Sequence, residues 1–184
     1  MGNLQKITFE GDIRYPEQNT WTLQQHSDLE RLIISPSDNN VNILLELSQC
    51  LPEPFGILYI LLVPRVTENT GRFQNPSPSN RDEMESFILH FSEFIEKDGR
   101  HELWLISLPI SATLVYDRHN VIYAYGPISD FIDILKKKGF TEGKFESIPT
   151  HTHYYHSEFD KKELELMSYW DWIYFPLKES DNNS

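Results

Sequence analysis

The chain has a single cysteine among its 184 residues, Cys50, so no disulfide can form within it. That cysteine closes the apolar pattern "LLELSQC" and reads as a small buried hydrophobe, with no neighbouring base to make it a nucleophile. Long hydrophobic runs are also missing. The longest, "FGILYILLV" from Phe55 to Val63, is about half of the roughly 20 residues a membrane helix needs. The opening "MGNLQKITFEG" has no basic start followed by an apolar stretch. Lys6 stands where a myristoylation signal wants Ser or Thr. Positive charge is scarce. Sixteen Lys and Arg face 28 Asp and Glu, for a formal net charge of −12, which argues against nucleic acid as a partner. The one basic cluster, Lys136 to Lys138, falls at a predicted helix C-terminus, where the helix dipole favours cations. Neither of the common glycine-rich phosphate cradles occurs, nor the G-x-S-x-G elbow of many serine hydrolases. These absences lead us to expect a cytoplasmic protein with no membrane and no nucleic-acid partner.

What is present is aromatic. Phe, Trp and Tyr make up 13% of the chain, enough large side chains to fill a core without covalent staples. The length suits one globular domain, residues 1–178, followed by a flexible tail, 179–184. "KITFEG", "TWTLQQ" and "LERLIIS" read as short strands, with a turn at Pro16 and Asn19. Ser37 or Asp38 can cap a helix that Pro52 and Pro54 end. "FGILYILLVPR" does not alternate, as expected of a strand covered on both faces. The segment Val66 to Asn80 reads as a long polar loop, with Arg72 and Phe73 as its residues of interest. Met84, Phe87, Ile88, Phe91, Phe94 and Ile95 mark the buried stripe of one helix, capped by Ser79 or Asn80. "TLVY-DRHN-VIYAY" reads as a hairpin. A helix follows from Ser129 to a stop at Gly139. "GKFESIP" and "THTHYYH" read as strands. A helix boxed by Ser157 and Asp160 and a final strand in "WIYFPL" complete the chain. The mixture predicts the α+β class, with a largely antiparallel sheet and about four helices.

Candidate chemistry centres on "PTHTHYYHSEFD". In a strand, His151 and His153 point to one face, and two imidazoles so placed can share a zinc ion. His156 is the candidate third ligand. Asp117, His119 and Glu158 are further recruits. The spacing H-x-H-x-x-H is similar, over six residues, to the H-x-H-x-D-H motif of the metallo-β-lactamase superfamily. The likeness stops there: Tyr155 stands at the aspartate position, and no histidine follows His156. Asp117, Arg118 and His119 lie in "YDRHN", where turn chemistry accounts for Asp and Asn.

A second candidate is a surface of aromatics. Tyr123 and Tyr125 share a face of the hairpin, with Tyr116 across from them. Trp170 and Trp172 share a face of an extended "SYWDWIYF". Tyr and Trp suit surfaces that are both apolar and hydrogen-bonding. The leading expectation is therefore a non-enzymatic, acidic protein-binding module, similar in bulk to immunity or antitoxin proteins, with a basic protein partner. The alternatives are a small metal-dependent hydrolase built on the histidines, and a small-ligand or sensory domain with the Val66–Asn80 segment as lid.

Overall fold

The computed structural model describes residues 4–10, 18–26, 29–145 and 147–182. Eleven strands and five α-helices occur among them. They run β1 (Ile7–Phe9), β2 (Thr20–His26), β3 (Leu29–Ser35), α1 (Asn40–Ser48), β4 (Phe55–Leu61), β5 (Gly71–Gln74), α2 (Arg81–His90) and α3 (Ser92–Lys97). The order continues with β6 (His101–Ser107), β7 (Ala112–Tyr116), β8 (Ile122–Tyr125), α4 (Ile128–Lys137), β9 (Thr141–Glu142), β10 (His151–His153), α5 (Asp160–Met167) and β11 (Ile173–Phe175).

Nine strands form one sheet in the order β11-β5-β4-β6-β7-β8-β3-β2-β9. Every pairing is antiparallel except β2 with β9. This is the expected α+β architecture. A separate two-stranded sheet joins β1 to β10, with Ile7 opposite His153 and Phe9 opposite His151. All seven residues of β4 are buried, as its unbroken apolar run predicts for an interior strand. Among the described residues, no helix is long and apolar enough to cross a membrane.

The core lies on one face of the large sheet. Strand residues of one parity, among them Ile34, Tyr59, Leu103, Leu105, Leu114 and Ile122, meet Val41 and Leu44 of α1, Phe87 of α2, Phe94 of α3 and Phe131 of α4. Burying each large apolar side chain contributes on the order of 1.5–3 kcal/mol. Among the described residues, the other face carries no such helix layer. There the guanidinium of Arg31 sits 4.7 Å from the Tyr123 ring, and that of Arg72 sits 5.2 Å from Trp104, so cation–π stacking shields part of the sheet.

Several boundaries differ from expectation. The predicted Phe-rich helix is two helices, broken at Phe91 (φ −103°), yet its whole stripe stays buried. Asn80, one of the two expected caps, closes a capping box with Glu83. Helix α1 follows Asn39 in a left-handed conformation rather than a Ser37 or Asp38 cap, α4 begins at Ile128 without a side-chain cap, and a 3-10 turn, Ser157–Phe159, replaces the second box. The expected Val66–Asn80 loop holds a sheet strand, β5, because Phe73 is buried and Asn75 donates to and accepts from the β4 backbone. Of "GKFESIP", residues 143–145 and 147–149 are not strand. Pro16 lies outside the described residues. Asp181, within the segment expected as a tail, is buried beside Arg72 at 3.2 Å.

A buried ion cluster fixes the chain that follows β10. Arg100 is fully buried and donates to both oxygens of Asp98, at 2.7 and 2.9 Å, to Glu163 of α5, and to the carbonyl of His156 at 2.7 Å. Glu163 also accepts from the backbone of Arg65, Val66 and Thr67. Burial pushes its carboxyl up, but the bonds from Arg100 and Thr67 outweigh that and hold it below the usual range. Every charge in the cluster has a partner, as buried charges require.

Candidate metal centre

The site grows from the β7–β8 turn. Asp117 is buried, and its Oδ1 accepts from the backbone N–H of His119 at 2.8 Å and of Val121 at 2.9 Å. This is the turn chemistry predicted from "YDRHN". The other oxygen, Oδ2, lies 2.9 Å from His119 Nδ1. With Nδ1 donating to the carboxylate, the Nε2 lone pair of His119 is left for a ligand. A carboxylate behind a histidine is the arrangement that orients metal-binding imidazoles.

The other two histidines come from β10. Alternation puts His151 and His153 on the same face, facing the turn. The three rings form a near-equilateral set: His119 to His151 4.8 Å, His119 to His153 5.0 Å, His151 to His153 4.8 Å between centroids. One nitrogen from each lies within 4.8 Å of the others. A tetrahedral zinc with bonds of about 2.0–2.1 Å needs its nitrogens about 3.3 Å apart, so the rings would have to turn inward to bind one. His151 Nδ1 lies 2.8 Å from the Pro149 carbonyl, to which it donates, so its Nε2 also points away with a lone pair.

His153 is the most telling member. Both of its ring nitrogens are buried without a hydrogen-bond partner, an arrangement that disfavours folding unless something fills it. Burial, reinforced by His119, Arg118, His151 and Lys6, lowers its pKa to about 3, so it is neutral at pH 7. Neutral imidazole is the form that binds metal. Gly99 makes room for the ring: a Cβ there would lie 2.9 Å from the Lys6 carbonyl and 3.1 Å from His153 Cβ.

Lys6 supports the site from below. It is buried, donates from Nζ to the carbonyls of Asp117 at 2.9 Å and Ile95 at 3.1 Å, and sits 4.0 Å from the Tyr116 ring centre. Burial lowers its pKa to about 8, against the opposing pull of Asp117 and other carboxylates. Beside His119 opens a cavity of about 590 Å³, bounded by Lys6, Ile7, Phe9, Asn40, Glu96 and Asn120 among others.

The third histidine beside His151 and His153 is His119 rather than His156. β10 ends at His153, and the next residues turn away: the His156 backbone N–H donates to Asp98 and its Nε2 lies 2.8 Å from the Gln5 carbonyl. Glu158 is likewise elsewhere, accepting from Ser157. The aromatic residues do not form one patch. Tyr116 is buried and bonded to Asn40 and Asn120. Tyr123 and Tyr125 hold Arg31, which donates to the Tyr125 hydroxyl at 2.8 Å, and burial raises the Tyr123 pKa. Trp170 and Trp172 are half-buried against Phe87. Arg72 and Phe73 are buried in β5, far from a lid's exposure.

Comparison with protein-family models, with curated proteins and with solved structures finds no match for this chain.

Proposed function

We propose that this chain is a divalent-metal protein, with His119, His151 and His153 as ligands of a zinc-type ion and Asp117 orienting His119. The observation that carries the reading is the His153 ring, buried with two unpartnered nitrogens at the meeting point of two other histidines. A structural zinc site takes four protein ligands; three histidines are the ligand count of a catalytic one, whose fourth position takes water. The partly exposed His151 and the cavity beside His119 support access from solvent. A metal so held would supply a water ionised near neutral pH, suited to hydrolysis. The residues of the chain do the rest: Asp117 fixes the His119 tautomer, Lys6 and Gly99 fix the placement of the turn and of His153. The reading thus favours a small metal-dependent hydrolase. The single cysteine suits a reducing compartment such as the cytoplasm.

The test is thermal unfolding of EDTA-treated protein with zinc, manganese, magnesium and calcium in turn. A ligand at a hundredfold over its Kd adds about 2.7 kcal/mol, which for a chain of this size is a shift of roughly 5–10 °C. Zinc is expected to give such a shift, at one ion per chain by calorimetry, and His153→Ala to abolish it. An equal shift in His153→Ala, or none in the native chain, would sink the reading. Turnover of p-nitrophenyl acetate or bis(p-nitrophenyl) phosphate that appears only with metal would then establish hydrolysis.

A further inference from the structure

The large sheet ends in a short strand of unusual character. β11 is the terminal strand beyond β5, and its residues Ile173, Tyr174 and Phe175 are 42%, 53% and 45% exposed. Edge strands are ordinarily blunted by charge, proline or a covering element, because their backbone groups template further pairing. This one is short and is followed by Pro176, yet all three of its residues are apolar and exposed. Its centre is fixed in place: the Tyr174 ring lies across Gly71, where a Cβ would come within 2.4 Å of it, and 5.6 Å from the Phe73 ring. Next to it is a hollow of about 390 Å³ with Phe73, Met167 and Tyr174 as apolar walls and Glu68 and Asn69 at its border. Glu68 is exposed, and Asp171 leads into the strand and is also exposed.

We propose that β11 is a docking edge for an extended, basic segment of another protein. The segment adds as a further strand, by backbone pairing. A lysine or arginine in it lays its aliphatic stem on Phe73, Met167 and Tyr174 and brings its charge to Glu68, as long cationic side chains do at apolar–polar borders. Charge selects this occupant over a second copy of the chain. At a net −12, self-pairing would bring Glu68 and Asp171 against a surface of the same sign, whereas a basic partner is drawn in. The inference is independent of the metal centre, which involves other strands.

The test uses blocked octapeptides on the full chain, followed by backbone amide NMR. The probes are alternating lysine–valine, alternating glutamate–valine, and the lysine–valine peptide with a central proline. The lysine–valine peptide is expected to shift the amides of residues 68–71 and 173–175. Its affinity should weaken on the order of tenfold as ionic strength rises from about 0.05 to about 0.3 M, and several-fold in Glu68→Gln. The other two peptides should not bind. Tyr174→Ser, checked for an unchanged melting temperature, should lose binding as well. Equal binding of the proline peptide would mean charge attraction without strand addition, and overturns the proposal. So do shifts confined elsewhere, no shift with any peptide, or a dimer by sedimentation that protects the β11 amides.

Discussion

The Asp117 carboxylate has two jobs, one for each oxygen. Oδ1 closes the β7–β8 turn and Oδ2 holds His119. Asp117→Asn separates them. The amide oxygen still closes the turn, but the amide nitrogen faces His119 Nδ1 with a hydrogen, so Nδ1 must become the acceptor and Nε2 the protonated atom. Zinc affinity is expected to fall about 10- to 100-fold in a chelator competition, with the metal-free melting temperature nearly unchanged. His153 gives a second residue-scale outcome. Its pKa falls from the ordinary 6.5 to about 3 on folding, so between those values the unfolded chain binds a proton that the folded chain refuses. Stability is therefore full above about pH 6.5 and declines as pH falls toward 3. In metal-free protein, denaturant unfolding over that range should show a smaller pH slope in His153→Leu than in the native chain. His151 and His153 are legible in the sequence because alternation in a strand needs only neighbours. His119 is legible only as one recruit of three, and Gly99 and Lys6 are not, since each acts on residues more than 50 positions away.

At the scale of elements, the joint between β6 and α5 depends on ions rather than on apolar contact. Arg100 and Glu163 are both fully buried and bonded to each other. Arg100→Met keeps most of the volume and removes the charge, leaving Asp98 and Glu163 without their cation. Loss of one partner from a buried pair costs about 3–5 kcal/mol, and urea unfolding at neutral pH should show a loss of that order. The same unfolding at pH 4 should show a smaller difference, because protonation relieves the stranded Glu163 carboxylate. Elements whose evidence is periodic are the ones a reader of the sequence recovers: β4 from its unbroken apolar run, the stripe of α2 and α3 from its spacing, the β7–β8 hairpin from its turn. β5 is hidden because its strand-like content is four residues, "GRFQ", set among polar residues, and its place depends on β4 and β11 on either side. Helix starts are missed where the cap is backbone geometry, as at Asn39 with φ 53°, rather than a side-chain bond that the sequence spells out.

For the molecule as a whole, the histidine centre lies where the two sheets meet. His151 and His153 belong to the small β1–β10 sheet and His119 to a turn of the large one. An ion held by all three would tie the sheets together. Zinc should therefore slow hydrogen exchange at the amides of residues 7–9 and 151–153 far more than in the interior of β4, and EDTA should reverse it; uniform slowing across the chain would contradict a local tie. The large sheet, its direction of pairing and its single core follow from composition and pattern. The tie between sheets does not, because nothing local in residues 4–10 announces that their partner is β10. That pairing has a consequence in time. During synthesis β1 leaves the ribosome before β10, with β2 to β9 encoded between them. An unfinished chain thus carries His119 without its companions, and a product truncated anywhere before His153 lacks the site altogether. Metal occupancy would then report that translation has passed β10 and that β1 and β10 have found each other.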